Sequence, residues 1–117
     1  MGVSALRASR WLPWSALVAA LSGEGVHHQL LSDLLRFRCE WGRPALGWAV
    51  TAAVLLWMLL GAALTRAALH PLVMQALSDA AARNRRFIAH LGWLACGVLA
   101  IALCWQMLAV LWMPSCP

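Results

Sequence analysis

Four histidines, four cysteines and four acidic residues are the side chains in this 117-residue sequence with obvious capacity for chemistry. His70 and His90 form the best pair, because two histidines on facing helices can hold a haem iron or a divalent metal. Nothing completes a ligand set around them, so the expectation is no metal and no cofactor. His27 and His28 are adjacent, and a helix aims neighbouring side chains about 100° apart, so the two cannot readily share one site. Cys39, Cys96, Cys104 and Cys116 show neither a CxxC pair nor a zinc-ligand spacing. Cys96 and Cys104 fall inside an apolar block, where cysteine acts as a small packing residue. Cys39 and Cys116 lie just outside apolar blocks and are candidates for a disulfide on an oxidising side, with two free thiols as the alternative.

The four acids are Glu24, Asp33, Glu40 and Asp79. None lies inside the two longest apolar blocks, which counts against an ion path of the kind that needs an intramembrane carboxylate. A glycine-rich phosphate loop, an HExxH helix and a Ser/His/Asp set are all missing from the sequence. The expectation is therefore a protein that is not an enzyme.

The surroundings of these residues explain why. Apolar residues make up 63% of the chain and charged residues 11%, an excess that a small water-soluble fold could not bury. Lipid is the solvent that accommodates it. All nine basic residues are arginine, and Arg36, Arg38, Arg43, Arg66, Arg83, Arg85 and Arg86 stand at the edges of the apolar blocks, where headgroups attract them. That distribution fits a bilayer and argues against nucleic acid, which favours a basic stripe interleaved with exposed aromatics.

Fold class follows as an all-α membrane protein, a two-transmembrane-helix antiparallel hairpin preceded by interfacial and amphipathic helices. Residues 1–43 form the N-terminal interfacial region. Within it, Trp11 to Gly23 resembles the apolar middle of a signal peptide, but it would rise only about 20 Å as a helix, short of the roughly 30 Å hydrocarbon core. It is read as an interfacial or partly inserted helix. From Glu24 to Arg43 the apolar positions Val26, Leu30, Leu31, Leu34, Leu35 and Phe37 recur at helical spacing, predicting an amphipathic helix on the membrane plane.

The first span, 44–69, opens on Pro44, a residue suited to the first turn of a helix. It ends before His70-Pro71, because proline removes a donor and restricts the residue before it. A connecting segment, 70–86, holds a short helix and a basic collar. The second span, 87–113, carries only His90 and Gln106 as strongly polar side chains, and a four-residue tail follows.

Helices associate in lipid through close backbone approach and interhelical hydrogen bonds. Gly92, Cys96, Ala100 and Cys104, at successive i, i+4 positions, predict a small-residue ridge on the second span. Ala49, Ala53, Gly61 and Thr65, interrupted by Trp57, predict its counterpart on the first. Gln106 is expected to form a hydrogen bond between helices, and Trp57, near mid-membrane, is expected to face protein. Arg43, Arg66, Arg83, Arg85 and Arg86 are expected to anchor the chain at membrane interfaces.

These features predict a non-catalytic accessory subunit whose partners are other integral membrane subunits and the lipid bilayer, in a multi-pass bacterial inner-membrane setting. Two alternatives use the same features: a self-assembling pilin-like or holin-like protein, and a haem- or quinone-associated anchor subunit. Orientation depends on Arg7 and Arg10. If the segment after them crosses, they join Arg66, Arg83, Arg85 and Arg86 on the loop side; if it lies flat, they join Arg36, Arg38 and Arg43.

Overall fold

A computed structural model of the chain describes residues 10–36 and 44–112, and all regular structure among them is helical. A 3-10 turn, Leu12–Trp14, leads into α1 (Ser15–Arg36); α2 (Pro44–Ala68), α3 (Pro71–Gln75) and α4 (Asp79–Leu111) follow. Two of these helices, α2 and α4, are long and apolar enough to cross a membrane, with mean hydropathies of 1.9 and 2.1 over their most apolar windows.

The helices pack as an up-down-up bundle. On α1 and α2 the paired residues are Ala16 with Thr65, Ser22 with Trp57 and His27 with Thr51, so the first number rises as the second falls. Between α1 and α4 both rise, from Ala16 with Gly92 to Glu24 with Gln106. Trp93 with Ala62 and Met107 with Gly47 set α2 against α4 antiparallel.

Sequence periodicity explains this arrangement. On α2 the buried positions are Gly47, Thr51, Val54, Met58, Gly61, Thr65 and Ala68, alternating steps of four and three. On α4, Ala82, Arg85, Ala89, Gly92, Cys96, Leu99, Leu103 and Gln106 follow the same alternation as the helix's buried or partly buried seam. A 3.5-residue repeat keeps one stripe facing its partners, the pattern of left-handed helix bundles. The inward face of α1 is made of Ala16, Ala19, Ala20, Gly23 and His27. Its small side chains let α1 settle against both larger helices, and packing of this closeness supplies the dispersion that holds helices together in lipid.

Three expectations change here. The short helix and the separate amphipathic helix are one continuous helix, α1, running lengthwise against α2 and α4 rather than apart from them. The reason is Gly23: it lies over Val54 and Met58, where a Cβ would come within 3.0 Å of Val54 Cγ1, so the apparent break in the sequence is a point of close approach. The antiparallel pair expected of α2 and α4 is present, but it is a three-helix bundle with α1 as its third member. Finally, the connecting segment is shorter than 70–86. His70 Nδ1 accepts the Leu72 N–H at 3.3 Å and starts α3, which ends at Gln75. Ser78 Oγ then accepts the Ala81 N–H at 3.3 Å, and α4 begins at Asp79, whose charge suits a helix N-terminus. The arginine collar consequently belongs to the opening turns of α4.

The paired ridges are also redistributed. Gly92 and Gly61 are buried, but both face α1: a Cβ on Gly92 would stand 2.8 Å from Ala16 Cβ, and one on Gly61 would collide with Ala19 Cβ. Cys96 donates to Ala16 O at 3.3 Å. Ala49, Ala53 and Cys104 are exposed, and Ala100 is half-buried against the apolar centre formed by Val54, Met58 and Leu103. A strict i, i+4 row drifts around the helix, so its far end leaves the seam that a 3-4 alternation follows.

Candidate functional site: a polar cluster inside the bundle

Glu24 and His27 are three residues apart on α1 and share the face that points into the bundle. From α2, Thr51 reaches the same place, and from α4, Gln106. His27 is completely buried and Thr51 nearly so. The His27 ring bridges the other two helices: Nε2 lies 2.9 Å from Thr51 Oγ1 and Nδ1 lies 3.1 Å from Gln106 Oε1. Gln106 Nε2 donates to Glu24 Oε1 at 2.9 Å, and Thr51 Oγ1 donates back to Gly47 O at 2.9 Å. Five residues on three helices thus form one continuous chain of hydrogen bonds.

Proton counting constrains this chain. Gln106 donates its amide to the carboxylate, so its oxygen faces His27 and Nδ1 carries a proton. Thr51 has a single hydroxyl proton. That proton can go to Gly47 O or to His27 Nε2, so Nε2 donates or accepts according to the ring's tautomer. Glu24 Oε2 is buried and has no hydrogen-bond partner among the described residues. A buried oxygen in that state costs on the order of 1–3 kcal/mol, more if it is charged.

The other end of the bundle is closed by different chemistry. Arg85 is buried and donates from Nη1 to Ala68 O at 3.1 Å, supplying a partner for a carbonyl at the C-terminus of α2. The expectation that Arg85 is an interface anchor is therefore corrected: its guanidinium turns inward and caps a helix. Arg66, Arg83 and Arg86 are exposed. At the same end Ala16 N–H, an unpaired donor of the first turn of α1, donates to Thr65 Oγ1 at 2.8 Å. Arg10 lines a cavity there with Trp14, Asn84 and Arg85.

Remaining candidate residues occupy local roles. His70 caps α3, while His90 Nδ1 lies 2.6 Å from Arg86 O and its ring meets Trp93 edge-on with centroids 5.4 Å apart. Among the described residues no group of three or more potential metal ligands converges. Trp57 is half-exposed, yet its Nε1 donates to Ser22 Oγ at 3.0 Å, so its ring is outward and its polar atom is satisfied by α1. Arg43, Cys39 and Cys116 lie outside the described residues.

Sequence reasoning singled out Gln106 and missed its partners. Glu24 and His27 lie in the stretch whose spacing predicts a surface helix, and Thr51 lies in the first span with no local feature that marks it. The available signal was the i, i+3 spacing of Glu24 and His27 in line with Ala16, Ala20 and Gly23, a small-residue face that ends in a polar pair. No protein-family profile, curated protein or solved structure matches the chain, so a functional reading rests on this geometry.

Proposed function

We propose that the chain is a multi-pass integral membrane protein of the bacterial inner membrane, acting as a non-catalytic accessory subunit of a larger membrane complex. The observation that carries the membrane reading is how little of α2 and α4 the fold conceals. Only 28% and 22% of their most apolar windows are buried, whereas the core helix of a soluble protein is mostly covered. Leu56, Leu59 and Leu60 on α2, with Leu94, Val98 and Ile101 on α4, all face outward. Surface of this kind is stable against acyl chains or against other membrane helices.

The accessory role follows from the same inside-out distribution. Small and polar groups are consumed in holding the three helices to one another, which leaves a broad apolar exterior for neighbours. The arginine distribution supports an orientation: Arg10 sits at the α2–α4 connection with Arg66, Arg83, Arg85 and Arg86. The positive-inside tendency places that end in the cytoplasm. Extraction from native membranes in a mild detergent, followed by mass measurement of the complex, tests the proposal. A hetero-complex retained through purification is the expected result. A monomer without partners contradicts the accessory role, and a large homo-oligomer would move the reading to a self-assembling protein.

A further inference from the structure

We infer that the cleft between α3 and the opening turns of α4 is a binding site for one anionic glycerophospholipid, held by its headgroup. The inference rests on the membrane reading above and adds a ligand class to it.

An open cleft of about 490 Å³ lies where the chain turns from α2 through α3 toward α4. Leu69, Pro71 and Met74 form its apolar wall, and Gln75, Arg86 and His90 supply its polar groups. Among the described residues no acidic side chain lines it. Arg86 and His90 are one turn apart and share a face of α4. The guanidinium presents donors in a planar fork that matches a phosphate. His90 is fixed in place, because Nδ1 donates to Arg86 O at 2.6 Å and Trp93 meets the ring edge-on. Its other nitrogen, Nε2, is the one that can meet a ligand. The Gln75 amide carries both donors and an acceptor, which suits hydroxyl groups. A headgroup bearing an ammonium would find no carboxylate here, whereas a phosphate diester with a hydroxylated head finds a guanidinium and two polar partners.

The order of groups along α4 matches the order of groups in a lipid. Arg86 is the last charged residue of the helix, and His90 stands about 6 Å further along it. The same face then continues as Leu94, Val98 and Ile101, all exposed. Cation, polar ring and apolar track thus follow one another as phosphate, glycerol and acyl chain do in a bilayer leaflet. A free phosphate ion would use only the first of these.

The surrounding charge favours an anion. Arg10, Arg66, Arg83 and Arg85 stand at the same end of the bundle. The acid nearest to Arg86 along α4 is Asp79, seven residues or about 10 Å back, with Arg83 between them. Glu24 lies toward the opposite end with Gln106, and Asp33 is further along α1 in the same direction. Glu40 falls between Arg36 and Pro44, the ends of α1 and α2 remote from this cleft, and the residues before Arg10 include no acid.

The test titrates the full chain in dodecyl maltoside micelles with phosphatidylglycerol and counts bound lipid by native mass spectrometry. One phosphatidylglycerol should bind more tightly than those that follow, and more tightly than phosphatidylcholine. Arg86→Gln should weaken that first binding about five- to tenfold, and Gln75→Ala by a smaller factor. Arg10→Gln removes the same charge at the same end, but from the cavity whose α4 residues Asn84, Arg85 and Ile88 centre on the opposite face of that helix. It should change the first binding by about twofold or less. Equal losses in Arg86→Gln and Arg10→Gln would mean diffuse attraction to a basic surface and overturn the proposal, as would equal affinity for phosphatidylcholine. Glycerophosphoglycerol, the same headgroup without acyl chains, should compete weakly; competition as strong as that of the intact lipid overturns the lipid assignment in favour of a soluble phosphate ester. Circular dichroism checks that Arg86→Gln is folded, and where it is not, Gln75→Ala against Arg10→Gln decides. Alkaline carbonate treatment of native membranes separates this inference from the reading beneath it. A chain that carbonate strips off fails both, and a chain that stays in but shows no lipid dependent on the cleft overturns this proposal alone.

Discussion

Gly61 lies directly beneath Ala19, and a Cβ added there would collide with Ala19 Cβ and sit 2.7 Å from Ser15 O. Because the obstacle includes backbone of α1, no side-chain rotation relieves it. Gly92 has the same relation to Ala16 and Leu17 N from the other side. Gly25 and Gly97 have nothing within 4 Å of an added Cβ. Gly61→Ala and Gly92→Ala should each lose about 1–3 kcal/mol of bundle stability. Gly25→Ala and Gly97→Ala should be neutral or gain up to about 1 kcal/mol from helix propensity. Unfolding in mixed detergent micelles, followed by circular dichroism, measures all four; equal losses across the set contradict the docking of α1.

The polar cluster makes a separate prediction about stability. Gln106→Leu removes the group that joins Glu24 to His27 and leaves both buried groups short of a partner. The expected loss is about 1–3 kcal/mol. Leu108→Ala, two residues on and half-exposed, should change stability by about 0.5 kcal/mol or less. The same unfolding assay compares them, and a Gln106→Leu variant as stable as the wild type shows that the hydrogen-bond chain contributes nothing.

Arg85 and Arg83 differ by only two positions and should behave differently. Arg85→Ala removes the donor to Ala68 O and opens a gap where a buried side chain packed, so a loss of about 1–3 kcal/mol is expected. Arg83 is exposed, and Arg83→Ala should leave fold stability within about 0.5 kcal/mol. Hydrogen exchange at the last turn of α2 provides a local readout: protection at Ala67 and Ala68 should fall in Arg85→Ala alone.

These contrasts also mark what the sequence could reveal. The limits of α2 were legible because Pro44 and His70-Pro71 act through the local backbone, and the apolar length of both large helices is a matter of composition. Position along a seam was less legible. Gly61, Gly92 and Gln106 were recognisable as contact residues from size and polarity, but which helix they touch is set by a third element. Two features disguised α1. The apolar run stops at Gly23, and from Glu24 onward the apolar positions have the amphipathic spacing of a separate surface helix. Tertiary packing overrides both: Gly23 is needed for close approach, and Glu24 and His27 find their partners on α2 and α4. The start of α4 was obscured for the opposite reason, since the Ser78-Asp79 cap is local but three arginines, Arg83, Arg85 and Arg86, follow it.

If α2 and α4 span a membrane as proposed, α1, which packs lengthwise against both, crosses alongside them, and cysteine accessibility in sealed membrane vesicles tests this most directly. The native cysteines are replaced by alanine, and single cysteines are introduced as Arg10→Cys, Asp33→Cys, Asn84→Cys and Trp112→Cys. A membrane-impermeant maleimide is then applied from each side in turn. The account predicts that positions 10 and 84 are labelled from one side and positions 33 and 112 from the other. Labelling of 10 and 33 from the same side would mean that α1 lies along the membrane surface, and would contradict it.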